Sequence, residues 1–131
     1  MEKYKSNNNI VYKCHYHVVW VTKYRKKYLT GDIEKRLKEI CYNISKELKF
    51  DIIEVECDEN HIHMLINVDP QFGVHTVIKR IKGLSSRLLR QEFPILKMRL
   101  PTLWTNSYFV STVGGAPLDV IKKYIEEQKL R

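Results

Sequence analysis

The chain has 131 residues, 44% hydrophobic and 29% charged, which is enough apolar material for one core and too short for a two-domain enzyme. Lys and Arg number 23 against 15 Asp and Glu, a net charge of +8, and a small domain this basic suits a polyanion such as nucleic acid or an acidic membrane surface. No apolar run approaches the roughly 20 residues of a membrane span; MEKYKSNNNI lacks the apolar stretch of a signal peptide, and three cysteines without a CxxC pair speak against disulfides or structural zinc and for a reducing cytosol.

Residues 10–22 (IVYKCHYHVVWVT) are rich in β-branched and aromatic side chains and predict a strand. Ile33, Leu37, Ile40, Cys41, Ile44 and Leu48 recur at helical spacing and predict a helix over 33–50, with Thr30 or Asp32 to cap it. Residues 51–58 (DIIEVECD) and 60–68 (NHIHMLINV) read as two strands of an antiparallel hairpin. A second helix is expected over 74–93, stopped by Pro94, then a loop over 95–103 and a fourth strand over 104–113. Gly114-Gly115 breaks the chain, and Pro117 suits the first turn of a terminal helix over 118–130. The order β-α-β-β-α-β plus a last helix is the ferredoxin-like split βαβ pattern. It predicts a single α+β domain over 1–131, with an antiparallel sheet, two helices on one face and the other face free to act.

His61 and His63 lie at i and i+2 in the third strand and therefore share a face, while Ile62, Met64, Ile66 and Val68 form an apolar row on the other. Two imidazoles about 7 Å apart along a strand can converge on one divalent ion. The same spacing also fits two polar residues on a solvent-facing surface. His15 and His17 repeat it in the first strand, on the face of Lys13, Val19 and Val21; sheet-surface residues or a nucleic-acid contact is the favoured reading there, with ligation left open. His75 opens the second helix as a surface residue.

Tyr124 and Gln128 are four apart and lie on one helix face, flanked by Val120, Ile121 and Ile125. The plain reading is half-buried packing. The chemical reading is a nucleophilic phenol, helped by a divalent cation to which Gln128 adds a carbonyl oxygen. In the second helix Val77, Ile81, Leu84 and Leu88 fall on one side and Lys79, Arg80, Lys82, Arg87 and Arg90 on the opposite side, a stripe that fits a phosphate backbone or a solvated face. Lys23-Tyr24-Arg25-Lys26-Lys27-Tyr28 interleaves aromatics with charge, as unpaired bases and their phosphates require, or forms an exposed connection. No Ser-His-Asp arrangement, P-loop or GxGxxG is present.

HVVWVTKYRKKYL, ENHIHMLI, IKGLSSRLLRQEFP, LWTNSYFVSTVGGAP and VIKKYIEEQ come in one order over nearly the whole chain. Together they resemble the small single-tyrosine HUH transposases, which mobilise insertion sequences as single-stranded DNA and include those associated with repetitive extragenic palindromes. The resemblance implies a ferredoxin-like, RRM-like fold with four to five strands and an obligate homodimer in a prokaryotic cytosol. It implies Mg²⁺ or Mn²⁺ held by His61 and His63, with Gln128 contributing, and Tyr124 as the nucleophile. It further implies recognition of hairpins at element ends, and single-strand cleavage to a 5′-phosphotyrosine and a free 3′-OH, with active sites shared between subunits. Asn60 stands where many relatives have Asp, so a carboxylate at that position is missing. The alternatives are a non-catalytic RRM-like binding module, against which the absence of a KGFGFV-type sequence counts, and a replication-initiation nuclease, against which the short chain counts.

Overall fold

The computed structural model describes residues 4–112 and 118–128. The elements in chain order are β1 (Lys5–Ser6), β2 (Val11–Tyr12), β3 (His15–Val21), α1 (Gly31–Leu48), β4 (Asp51–Asp58), β5 (His61–Asn67), α2 (Val74–Glu92), α3 (Pro94–Arg99), β6 (Phe109–Thr112) and α4 (Leu118–Glu127). A four-stranded sheet runs β4-β5-β3-β6, antiparallel at every step, and β1 and β2 form a separate small hairpin. This is the α+β split βαβ arrangement, with the two strands of each crossover separated by a strand of the other.

The sheet sorts its side chains by alternation. Val18 and Trp20 of β3 and Ile62, Met64 and Ile66 of β5 are fully buried against the helices, where α1 and α2 pack side by side. Each such side chain contributes about 1.5–3 kcal/mol through burial. Trp20 meets Trp104 edge to face at 5.9 Å, and the Trp104 indole N–H donates to Ser85 Oγ at 3.0 Å.

Several sequence expectations are corrected. The strand expected over 10–22 is two, β2 and β3, broken between Tyr12 and His15. The segment 95–103 is not all loop: Pro94 stops α2 and opens α3, since a residue with no N–H costs nothing at the first turn of a helix. The strand expected from Trp104 begins only at Phe109; Trp104 makes a single bridge to Thr22. Thr30 occupies the N-cap of α1 but makes no side-chain cap bond. The face expected to be free is overlain by α4, which contacts β3. Gly114-Gly115 and Pro117 lie outside the described residues. Among the described residues no helix is long and apolar enough to cross a membrane.

Candidate active site and nucleic-acid interface

The site side of the sheet is built by register. Val21 and Val19 of β3 stand opposite His61 and His63, and Asp58 and Glu56 of β4 stand opposite the same two histidines from the other side. The acids reach this face because the register slips between Ile52 and Glu54. A bulge adds one residue, and one residue is enough to turn every later side chain over.

Both histidines are half-buried, and burial holds each below the usual imidazole pKa. For His61, Asp58 opposes that fall and His63 adds to it. For His63, His17 adds to it, and Glu56 and Glu54 oppose. A lowered pKa favours the neutral ring, the form that ligates metals. Asn60 Oδ1 lies 2.8 Å from His61 Nδ1 and accepts its N–H, which leaves His61 Nε2 as the free lone pair. An amide oxygen thus orients His61 at the position where the carboxylate is missing. His17 Nδ1 lies 3.2 Å from His63 Nε2, with the rings stacked 5.4 Å apart. Sequence reasoning favoured a sheet-surface or nucleic-acid role for His17 and left ligation open; the usable signal was that this fold makes the first and third main strands neighbours, so that HxH faces on both meet.

A cavity of about 500 Å³ opens over the pair, lined by Val19, Asp58, Asn60 and both histidines below and by Ile121, Lys122, Ile125 and Glu126 of α4 above. Tyr124 and Gln128 are not in that lining. They meet at Ser107, whose Oγ is 2.9 Å from the Tyr124 hydroxyl and 3.0 Å from Gln128 Oε1. Gln128 is buried, and the Tyr124 ring tilts onto Phe109 of β6 at 5.6 Å. Phe109, Val19 and His63 lie in one row across β6, β3 and β5. Strands are about 4.7–4.9 Å apart, so β6 and β5 are separated by roughly 9–10 Å. The structure therefore brings the histidines together, and the tyrosine with the glutamine at Ser107, with the second pair outside the lining of the histidine cavity. Among the described residues no three His, Cys, Asp or Glu side chains are grouped to hold a metal. The donor chemistry of the histidine pair fits a metal as two nitrogen ligands of a larger set.

The expected cation stripe on α2 divides. The buried residues are Val77, Ile78, Ile81, Ser85 and Leu89, and Leu84 and Leu88 are only half-buried, so the inward face is rotated from the one expected. Lys82 and Arg90 therefore flank the core: Lys82 Nζ donates to the carbonyls of Thr105 at 2.7 Å and Ser107 at 2.9 Å, and Arg90 donates to that of Leu100 at 3.3 Å. Arg80 pairs with Glu47 at 3.1 Å. Lys79 and Arg87 stay exposed. A cleft of about 570 Å³ nevertheless collects Lys79, Lys82, Arg87, Arg90 and Lys97 beside Tyr108. Burial brings the Lys82 ammonium down to about 8. The Lys23–Arg25 segment is a 3₁₀ turn in which Tyr24 and Arg25 take positive φ, with the Lys23 ammonium 5.2 Å from the Tyr24 ring centre. Lys26 is exposed, and Thr22 Oγ1 donates to its carbonyl at 2.6 Å. Thr22 N–H donates to the Asn60 carbonyl at 3.0 Å, so this basic turn abuts the strand entry that carries His61.

Solved transposases share this architecture. A crystal structure of a protein assigned as a transposase, from Deinococcus radiodurans R1, superposes with a TM-score of 0.83 at 30% identity, over 97% of this chain and 99% of that one. A tyrosine transposase bound to a REP hairpin has the same fold at a TM-score of 0.59 and 11% identity, covering 96% of this chain and 69% of the other. In sequence, the ISDra2 transposase TnpA of Deinococcus radiodurans is 34% identical over 95% of this chain and 90% of its own length. The transposase of insertion sequence element IS200 from Salmonella typhimurium is 32% identical, over 96% of this chain and 86% of its own. The profile of the family described as "Transposase IS200 like" matches residues 10–128, and the chain belongs to that family. Its activity at that level is the cleavage and rejoining of DNA.

Proposed function

We propose that the protein cleaves and rejoins single-stranded DNA at hairpin-marked element ends, with Tyr124 as the nucleophile, working as a homodimer in the cytosol. The observation that carries this reading is the HUH pair, His61 and His63, half-buried and held below the usual imidazole pKa under the very helix that carries Tyr124 and leads into Gln128. In the cleavage step the Tyr124 oxygen bonds to phosphorus, the bond from phosphorus to the 3′-oxygen breaks, and the phenol proton ends on the departing 3′-OH. Rejoining reverses this: a 3′-OH attacks the phosphotyrosine, and the proton returns to the phenol. One ester replaces another of similar energy, so no external energy source enters. His61 and His63 would hold Mg²⁺ or Mn²⁺, with the Gln128 carbonyl as a further ligand; the bound ion would polarise the scissile phosphate. Lys79 and Arg87 of the α2 cleft, with Lys82, Arg90 and the turn at Lys23, Arg25 and Lys26, would contact DNA phosphates. The binding-module reading needs an open sheet face, and α4 overlies it.

The test is a denaturation-resistant protein–DNA band on a single-stranded hairpin substrate. Wild type should form it with Mg²⁺ or Mn²⁺ and lose it in excess chelator. Tyr124→Phe should keep hairpin binding and form no band. A band that persists in Tyr124→Phe would overturn the nucleophile, and full activity in chelator would overturn the metal.

A further inference from the structure

Ser107 stands two residues before β6 and touches both side chains that the proposed chemistry needs, Tyr124 of α4 and Gln128 just beyond it. Its hydroxyl has one proton to give. Gln128 Oε1 is an amide oxygen and only accepts, so that proton goes to Gln128. At the Tyr124 contact Ser107 is therefore the acceptor, and the phenol donates. The chain runs from Tyr124 O–H to Ser107 Oγ–H to Gln128 Oε1. The phenol's proton is engaged. The glutamine oxygen assigned to the metal is engaged as well.

Ser107 is itself held in place. Its carbonyl and that of Thr105 accept from Lys82 Nζ, and the Thr105 N–H donates to the Val21 carbonyl at 3.0 Å. The strand before α4 is thus pinned to α2 on one side and to β3 on the other. Meanwhile Ile121 and Ile125, not Tyr124 and Gln128, roof the histidine cavity.

The geometry points to Ser107 as a positioning residue that parks Tyr124 and Gln128 together off their own chain's histidine pair, and that must release both before cleavage. This rests on the reading of Tyr124 as nucleophile, so its test needs one arm that does not depend on activity. That arm is fluorine NMR of the full chain labelled with 3-fluorotyrosine. The chain has eight tyrosines, and the Tyr124 signal is the one missing from Tyr124→Phe. Without DNA, Ser107→Ala should move that signal, and Ser107→Thr, which keeps the hydroxyl, should leave it at the wild-type position. Single-stranded hairpin substrate should move the wild-type signal toward the Ser107→Ala position.

The second arm is the rate of covalent adduct formation. Ser107→Ala should raise the rate at saturating DNA about three- to tenfold, the factor for one lost hydrogen bond. The half-saturating DNA concentration should stay level or fall, since DNA that favours the released state binds a protein already released at least as tightly, and Ser107→Thr should match wild type. Should alanine leave a protein too unstable to assay, Ser107→Cys fills similar space with a weak donor and must shift signal and rate in the same direction. A Tyr124 signal unmoved by Ser107→Ala, or an adduct rate that stays level or falls, overturns the proposal. Absence of any adduct in wild type would instead overturn the nucleophile reading, while the fluorine signal still reports whether Ser107 holds the phenol.

Discussion

Lys82 carries two demands on one charge. It sits on α2 beside the buried stripe, and its stem reaches past the core so that the ammonium meets two backbone carbonyls. No ion pair neutralises it among the described residues, and burial lowers its pKa from 10.5 to about 8. Tyr108, with its ring centre 6.0 Å away, His75 bonded to the Tyr108 hydroxyl, and Lys79 and Arg87 face the same cleft. A DNA phosphate in the cleft would favour the charged lysine and raise its pKa, so binding would take up a proton. Affinity for a single-stranded hairpin should therefore fall as pH rises through about 8. Lys82→Arg keeps its charge over this range and should flatten that dependence. Folding has the opposite sign. The unfolded chain holds the proton more tightly, so the Lys82 contribution to stability should improve as pH rises from about 8 toward 10.5. Titrating DNA affinity and thermal stability of both proteins across this range checks the two signs together, and equal pH slopes of affinity would remove Lys82 from the DNA contacts.

Strand β5 was legible because its period is two and its two faces differ in chemistry. Ile62, Met64 and Ile66 are fully buried as the alternation requires, and the histidines point the other way. Met64→Ala should cost about 2–5 kcal/mol by leaving a cavity. His63→Ala should cost about 1 kcal/mol or less, yet abolish metal-dependent cleavage. Chemical denaturation and the adduct assay separate the two, and comparable stability losses would mean that the faces are not distinct. Other elements were less legible because their form depends on partners. The bulge in β4 belongs to pairing with β5, and nothing within DIIEVECD marks the extra residue. The late start of β6 follows a change of register: Trp104 pairs with Thr22 and Phe109 with Val19, and between them Lys82 takes the carbonyls of Thr105 and Ser107. α3 was hidden because a proline that ends one helix can open the next. Within the site, His61, His63, Tyr124 and Gln128 stood out by spacing. Ser107 had no pattern to betray it, since its contacts come from a helix that lies after it in the chain.

At the scale of the whole molecule, the placing of Tyr124 and Gln128 at Ser107, and not in the histidine cavity, decides what a working site requires. A phosphorus under attack must lie about 3–3.5 Å from the phenol oxygen, and His61 and His63 would hold the ion that polarises it. Tyr124 and Gln128 are instead turned to Ser107 at the β6 side of the sheet, outside the lining of the histidine cavity. Either α4 slides across its own sheet, or the tyrosine serves the histidines of a second subunit. We expect the second, because it lets α4 remain a rigid helix and exchange sheets rather than repack along one. Mixing dead subunits distinguishes the cases. Co-expressed His61→Ala and Tyr124→Phe chains form some mixed dimers. With shared sites, one site of each mixed dimer joins an intact histidine pair to an intact tyrosine, and the covalent band should return at a fraction of wild-type yield. With unshared sites every site keeps one defect, and the mixture stays as inactive as its parents. Purifying the mixed dimer on two different affinity tags makes a negative result decisive: no band from that species would place the complete site within one chain and require α4 to shift across its own sheet.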